Sequence, residues 1–127
     1  MNAPPDYNDD GALSGDALLE TLGALSSPYR LRIIAALVGR RQYVSQLARE
    51  IGMSRPLLHM HLRRLRSAGL VESTMELSDE GKAMNYLSVA SFLVRLTPEA
   101  IREAVLTLTM SATGSRDSGR ASAREED

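Results

Sequence analysis

The sequence predicts a mainly helical domain with one β-hairpin, and three observations carry that expectation. Five apolar stretches repeat at helical spacing, each opened by a capping residue or closed by a glycine. Between the fourth and the fifth, the runs Leu70–Leu77 and Lys82–Val89 flank Ser78-Asp79-Glu80-Gly81, a four-residue turn with glycine at its end,. The stretches at the two ends, 1–15 and 112–127, hold prolines, glycines, serines and charges with little to bury. They read as disordered tails around a single folded domain over 16–111.

Each element has its own signals. Asp16 can cap a first helix whose Leu18, Leu22 and Leu25 share a face, with Leu19 beside them,. Ser27 followed by Pro28 pairs a capping hydroxyl with the residue best suited to the first helical position,. The second helix then carries Leu31, Ile34, Ala35 and Val38 inward and closes at Gly39. A short third helix runs from about Val44 to Ile51, with Val44, Leu47, Ala48 and Ile51 inward. Gly52 makes a tight turn, Ser54 caps the fourth helix, and Leu58, Leu62, Leu65 and Ala68 form its buried stripe before Gly69 stops it,. Residues 90–96 are ambiguous between strand and helix. Thr97-Pro98-Glu99 opens a last helix to about Met110, with Ile101, Val105 and Leu108 aligned.

Composition narrows the function classes. The chain has 127 residues, no cysteine, no tryptophan and one phenylalanine, so its core is aliphatic. Without cysteine there is no disulfide framework, thiolate metal site or cysteine nucleophile. No apolar run reaches membrane-spanning length, and residues 1–10 resemble neither a signal nor a transit peptide, so a cytoplasmic location is expected,. The basic residues are 14 arginines and Lys82, a bias that suggests a GC-rich bacterial genome.

The formal net charge is −1, but its distribution is lopsided. Residues 26–70 hold nine arginines (30, 32, 40, 41, 49, 55, 63, 64 and 66) and one acid, Glu50. The first 25 residues hold five acids and no base, and residues 71–127 hold ten acids and six bases. A cationic centre between acidic flanks is an electrostatic footprint for a polyanion.

The unit Val44–Ala68 combines both signals. A short helix, a glycine turn and a second amphipathic helix match a helix-turn-helix, whose second helix enters the DNA major groove. The buried leucines leave Arg55, Pro56, His59, Met60, Arg63 and Arg66 outward. Arginine pairs bidentately with guanine, histidine can donate or accept at base edges, and Leu57 or Met60 can meet a thymine methyl. The helix start at Ser54, Ser45 and Gln46 suit backbone phosphates. The hairpin then reads as a wing, with Lys82 and Asn85 as DNA contacts. Asp79 and Glu80 at its tip are unfavourable beside phosphates, so a weak wing contribution, or a tip turned away from DNA, is expected.

On these residues the chain resembles the ArsR/SmtB family of bacterial regulators. The resemblance is carried by Leu25-Ser26-Ser27-Pro28-Tyr29-Arg30-Leu31-Arg32-Ile33, Val44-Ser45-Gln46-Leu47-Ala48, Met53–Arg63 and Leu65-Arg66-Ser67-Ala68-Gly69-Leu70-Val71, with Gly81–Leu87 as the second wing strand. It covers roughly 16–110. It implies a winged helix-turn-helix and a homodimer joined through its first and last helices, here by Leu18, Leu22, Ile101, Val105 and Leu108. It also implies repression or other control at a near-palindromic operator, with repression the favoured reading. The family's metal sensors use cysteines in the bracing helix, or His with Asp or Glu on the last helix, and this sequence has neither pattern. No cofactor is evident. The effector stays open between a metal at an unusual site, a small molecule, methionine redox chemistry and an effector-sensing partner protein.

His59 and His61 are two apart and so point to different faces, which argues against joint chelation,; the family resemblance implies a structural role for His61. No nucleophile–base pair, glycine-rich phosphate loop or metal cluster suggests an enzyme. The second reading is a winged-helix interaction module or co-regulator that needs a partner subunit and binds DNA weakly or not at all.

Overall fold

The computed structural model describes residues 11–109. Its elements are α1 (Gly15–Leu25), α2 (Pro28–Leu37), β1 (Gln42–Tyr43), α3 (Val44–Ile51), α4 (Arg55–Ser67), β2 (Val71–Leu77), β3 (Ala83–Val89) and α5 (Pro98–Val105). The expected helices and hairpin are present. An additional two-residue strand, β1, turns the hairpin into a three-stranded antiparallel sheet of order β1-β3-β2. β1 joins through Gln42 opposite Leu87 and Tyr43 opposite Tyr86. No helix among the described residues is long and apolar enough to cross a membrane.

Local chemistry sets most helix ends. The hydroxyls of Ser27, Ser54 and Thr97 accept from the backbone N–H of Arg30, Leu57 and Ala100 at 3.3, 3.3 and 3.0 Å, and a proline follows each cap within two residues,. Gly52 ends α3 at φ 68°, the left-handed conformation that glycine adopts without a side-chain penalty,.

α1 corrects one expectation. Its cap is Ser14, whose Oγ accepts from Ala17 N–H at 3.2 Å, so the helix begins at Gly15 and Asp16 lies in its first turn. Asp16 Oδ1 instead accepts from Thr109 N–H at 2.9 Å, and hydrogen bonding by Thr109, its side chain first and its backbone second, holds the carboxyl below the usual carboxylate range. Gly15 N–H donates to Thr107 Oγ1 at 2.9 Å, so the start of α1 is tied to the chain leaving α5. Gly11 O accepts from Arg95 N–H at 3.0 Å, which anchors residues on the tail side of the boundary expected at 16. Most of both expected tails lies outside the described residues. α5 is shorter than expected and ends at Val105, with single turns through Leu108; Met110 lies outside the described residues. Residues 90–97 form neither helix nor strand.

A Cβ at Gly15 would stand 2.4 Å from the Ala104 carbonyl oxygen and 2.9 Å from Leu108 Cα. These are backbone atoms that cannot swing aside. Gly15→Ala is therefore expected to destabilise the fold by about 1–3 kcal/mol, the usual cost of overpacking. A thermal melt checks this, and an unchanged midpoint would refute the close approach of α1 and α5.

The core is aliphatic, as composition requires. Ile33, Leu37, Leu47, Leu58, Leu62, Leu65, Leu70 and Leu87 are fully buried. The inward face of α2 differs from the expected one. Ile33 and Leu37 are buried, whereas Leu31 and Val38 are 53% and 65% exposed. Apolar residues surround this helix, so spacing alone does not choose between two candidate stripes. The face packed on α3 and α4 decides.

Candidate nucleic-acid interface

The α3–turn–α4 unit places a cationic row on an open surface. Leu58, Leu62 and Leu65 are buried against the core, which turns Arg55, His59, Arg63 and Arg66 outward at four-, four- and three-residue spacing,. Met60, 50% exposed, lies beside that row. Leu57 is on the opposite flank of the exposed face, on the same side as Arg64,. Arg64 packs toward α1, where a Cβ at Gly23 would come within 2.6 Å of its Nη2. Leu57 is thus set apart from the other recognition-helix residues singled out in the sequence.

The wing closes one side of the row. A groove of about 560 Å³ is lined by Ser45 of α3, Arg55 of α4, and Glu80, Lys82 and Asn85 of the hairpin, among others. Residues from three separate elements therefore meet in one cleft, with two cations and one carboxylate on its walls. Glu80 in that lining matches the expected electrostatic penalty of an acidic wing tip. Ser54 spends its hydroxyl on the Leu57 N–H and Pro56 carries none, so of the first three helical residues only Arg55 keeps a backbone N–H for an anion,. Gln46 uses its Oε1 to accept from Tyr43 N–H at 3.3 Å, so only its amide nitrogen is free of that bond. A second, shallower depression brings Arg49 next to Arg55. Sequence reasoning had not singled out Arg49, although its place on the polar side of α3 was readable from Leu47 and Ala48.

Not all nine arginines serve this surface. Arg30 is directed inward, with Nε donating to Ala24 O at 2.7 Å. Arg40 pairs with Glu50 at 2.9 Å. Arg41 pairs with both oxygens of Glu76, at 2.6 and 3.1 Å, and lies 4.1 Å over the Tyr86 ring. The pairing raises the Arg41 pKa and lowers that of Glu76. Both ion pairs are surface pairs of small energetic weight, about 0–1 kcal/mol. Their main effect is to neutralise two arginines and to fasten the loop after α2 to the wing. The cations left facing the cleft and the recognition row are Arg49, Arg55, Arg63, Arg66 and Lys82.

His61 points away from this surface, on a different face from His59, and is buried. Among the described residues no group of three or more His, Cys, Asp or Glu could hold a metal ion. Of the residues expected at a dimer face, Leu18 is buried within the chain and Leu22 and Leu108 are half-buried, while Ile101 and Val105 are 45% and 55% exposed.

The family model described as "Bacterial regulatory protein, arsR family" matches residues 27–73, the span from the α2 cap into β2. An uncharacterised HTH-type transcriptional regulator of Methanocaldococcus jannaschii is 34% identical over 80 residues, covering 63% of this chain and 83% of that protein. The HTH-type transcriptional regulator CmtR of Mycobacterium tuberculosis is 36% identical over 88 residues, 68% of this chain and 71% of that protein. The chain belongs to the ArsR family of regulatory proteins.

Membership makes it a winged helix-turn-helix transcription regulator rather than an enzyme. Solved structures agree on the fold. HlyU from Vibrio cholerae superposes with a TM-score of 0.53 at 23% identity, over 72% of this chain and 87% of that one. A winged helix-turn-helix domain from Mycobacterium bovis, solved as a homodimer, gives a TM-score of 0.53 at 24% identity over 80% and 81%.

Proposed function

We propose that this ArsR-family regulator binds double-stranded DNA sequence-specifically as a cytoplasmic homodimer and represses transcription at a near-palindromic operator. The observation that carries this reading is the exposed row Arg55, His59, Arg63 and Arg66 on α4, walled by a wing that brings Lys82 beside Arg55. The row reads bases, with Met60 as its apolar neighbour for a thymine methyl. Ser45, Gln46, Ser54 and Lys82 hold the backbone. The working domain runs from the Ser14 cap of α1 through the chain leaving α5.

Exposed Leu19, Ile101, Val105 and Leu106 on and beside α1 and α5 supply apolar surface for a second copy. That surface joins the half-buried Leu22 and Leu108 in the dimer face, with Leu18 packed beneath it inside its own chain. Two recognition helices one DNA turn apart, about 34 Å, then require half-sites with two-fold symmetry. The Mycobacterium bovis neighbour, a homodimer by its own description, supports this assembly.

The test is selection of genomic fragments followed by anisotropy titration of the best one. A protected site with inverted half-sites, and raised expression of the adjacent gene when the regulator is deleted, are expected. With five free cations per subunit, log K should fall with log salt at a slope steeper than about −4. A slope near zero, or no binding at low salt, would favour a protein-interaction module.

A further inference from the structure

We propose that Arg30 and His61 form an acid-sensitive joint that holds the recognition helix against the end of α1 and so positions the DNA-reading face. The positioning role rests on the regulator reading above, whereas the joint itself rests on geometry alone. Arg30, from the first turn of α2, reaches three acceptors with one guanidinium. Its Nε donates to Ala24 O at 2.7 Å and its Nη2 to Gly23 O at 3.5 Å, both in the last turn of α1. Ala24 O is one of the carbonyls that a helix C-terminus leaves without an intrahelical partner, while Gly23 O also accepts from the Ser26 N–H at 3.2 Å,. Its Nη1 lies 3.0 Å from His61 Nδ1. A single side chain from α2 thus ties α1 to the buried face of α4.

The chemistry of the pair dictates the state of His61. A guanidinium has five donors and no acceptor, so Nδ1 must be the bare, accepting nitrogen of a neutral ring. His61 is 8% exposed. From α2 it faces the Arg30 cation and the Tyr29 ring, 5.5 Å between centroids, with the Arg32 guanidinium 5.8 Å from that tyrosine ring. From α1 it faces the Gly23–Ala24 turn, where Arg64 of its own helix also packs. The charged groups around it are cations, and no salt bridge between described residues brings it a carboxylate. A proton on Nδ1 would turn the acceptor into a donor and set two cations 3.0 Å apart.

Burial first, and the Arg30 charge second, hold the His61 pKa below its ordinary value. The sign follows from linkage. As pH falls below about 6.5, the unfolded chain takes up a proton that the folded chain refuses, so stability is lost on acidification. The joint is complete above that range and opens below it.

The experiment compares thermal midpoints of the full chain at pH 7.5 and 5.5 for wild type, His61→Asn and Arg30→Gln, alongside operator affinity. Asparagine offers Oδ1 near the place of Nδ1 with nothing to titrate. Wild type should lose at least about 4 °C more on acidification than His61→Asn. Arg30→Gln, which removes the opposing cation, should also lose less than wild type. His59→Asn should keep the wild-type thermal profile. Equal acid losses in wild type and His61→Asn overturn the proposal; if His61→Asn does not fold, equal losses in wild type and Arg30→Gln overturn it instead. A thermal difference without any DNA binding sustains the joint and sinks the regulator reading.

Discussion

Leu62→Ala is expected to destabilise the domain by about 2–5 kcal/mol, the range for truncating a fully buried leucine. Leu62 has no exposed surface and sits at the centre of the cluster shared by α4, α2, α3 and the sheet. Removing three of its carbons leaves a cavity that backbone on several sides must hold open. Domains of this size have only about 5–15 kcal/mol in total, so the variant should show a clearly lower midpoint in urea with unchanged slope. Leu57→Ala, on the same helix but 37% exposed, is the comparator and should cost less than about 1 kcal/mol,. Equal losses in the two variants would mean that α4 is docked on a different face.

Arg63→Ala and Arg55→Ala should each weaken operator binding by about 1–3 kcal/mol, roughly 5- to 150-fold. Their side chains are exposed on the recognition row, and neither makes an ion pair with a described residue that would hold it back. The double variant should bind the operator no better than unrelated DNA, while its thermal midpoint stays near that of wild type. Arg40→Ala removes an arginine of equal charge that is paired with Glu50. It should leave the preference for operator over random DNA intact. Anisotropy titrations against both DNAs separate these outcomes. A double variant that still discriminates the operator would remove α4 from the reading surface.

The fold was largely legible because its signals are local. Ser27-Pro28, Ser54 with Pro56, and Thr97-Pro98 each mark a helix start within three residues, and Gly52 and Gly69 each meet a demand for positive φ. The leucine stripe of α4 is also local, since Leu58, Leu62 and Leu65 fall within two turns. Legibility failed where two local answers competed. Ser14 and Asp16 are both good caps, and the close approach of Gly15 to Ala104 favours the earlier start. In α2, two apolar stripes were available, and burial against α3 and α4 selected Ile33 and Leu37.

β1 illustrates a different limit. Gln42 is a polar residue in a two-residue segment, with no periodicity to read. It is completely buried because its Nε2 donates to Ala36 O at 2.9 Å and to Glu50 Oε1 at 3.0 Å, while its backbone pairs with Leu87. Each of those partners comes from another element: Ala36 and Glu50 lie within eight residues, but Leu87 is remote in sequence, so spacing alone does not mark Gln42 as buried.

The helix-turn-helix, the hairpin that follows it and the face of α4 that carries arginine could all be read from the order of residues. Those features depend on spacing, caps and glycines acting over a few residues. Which arginines stay unpaired on the cationic face was settled by packing between distant segments. Arg41 is neutralised by a glutamate 35 positions away and Arg30 is turned inward by a histidine 31 positions away. Charge can be counted along a chain, but whether a charge is paired depends on which distant segments meet when the core closes.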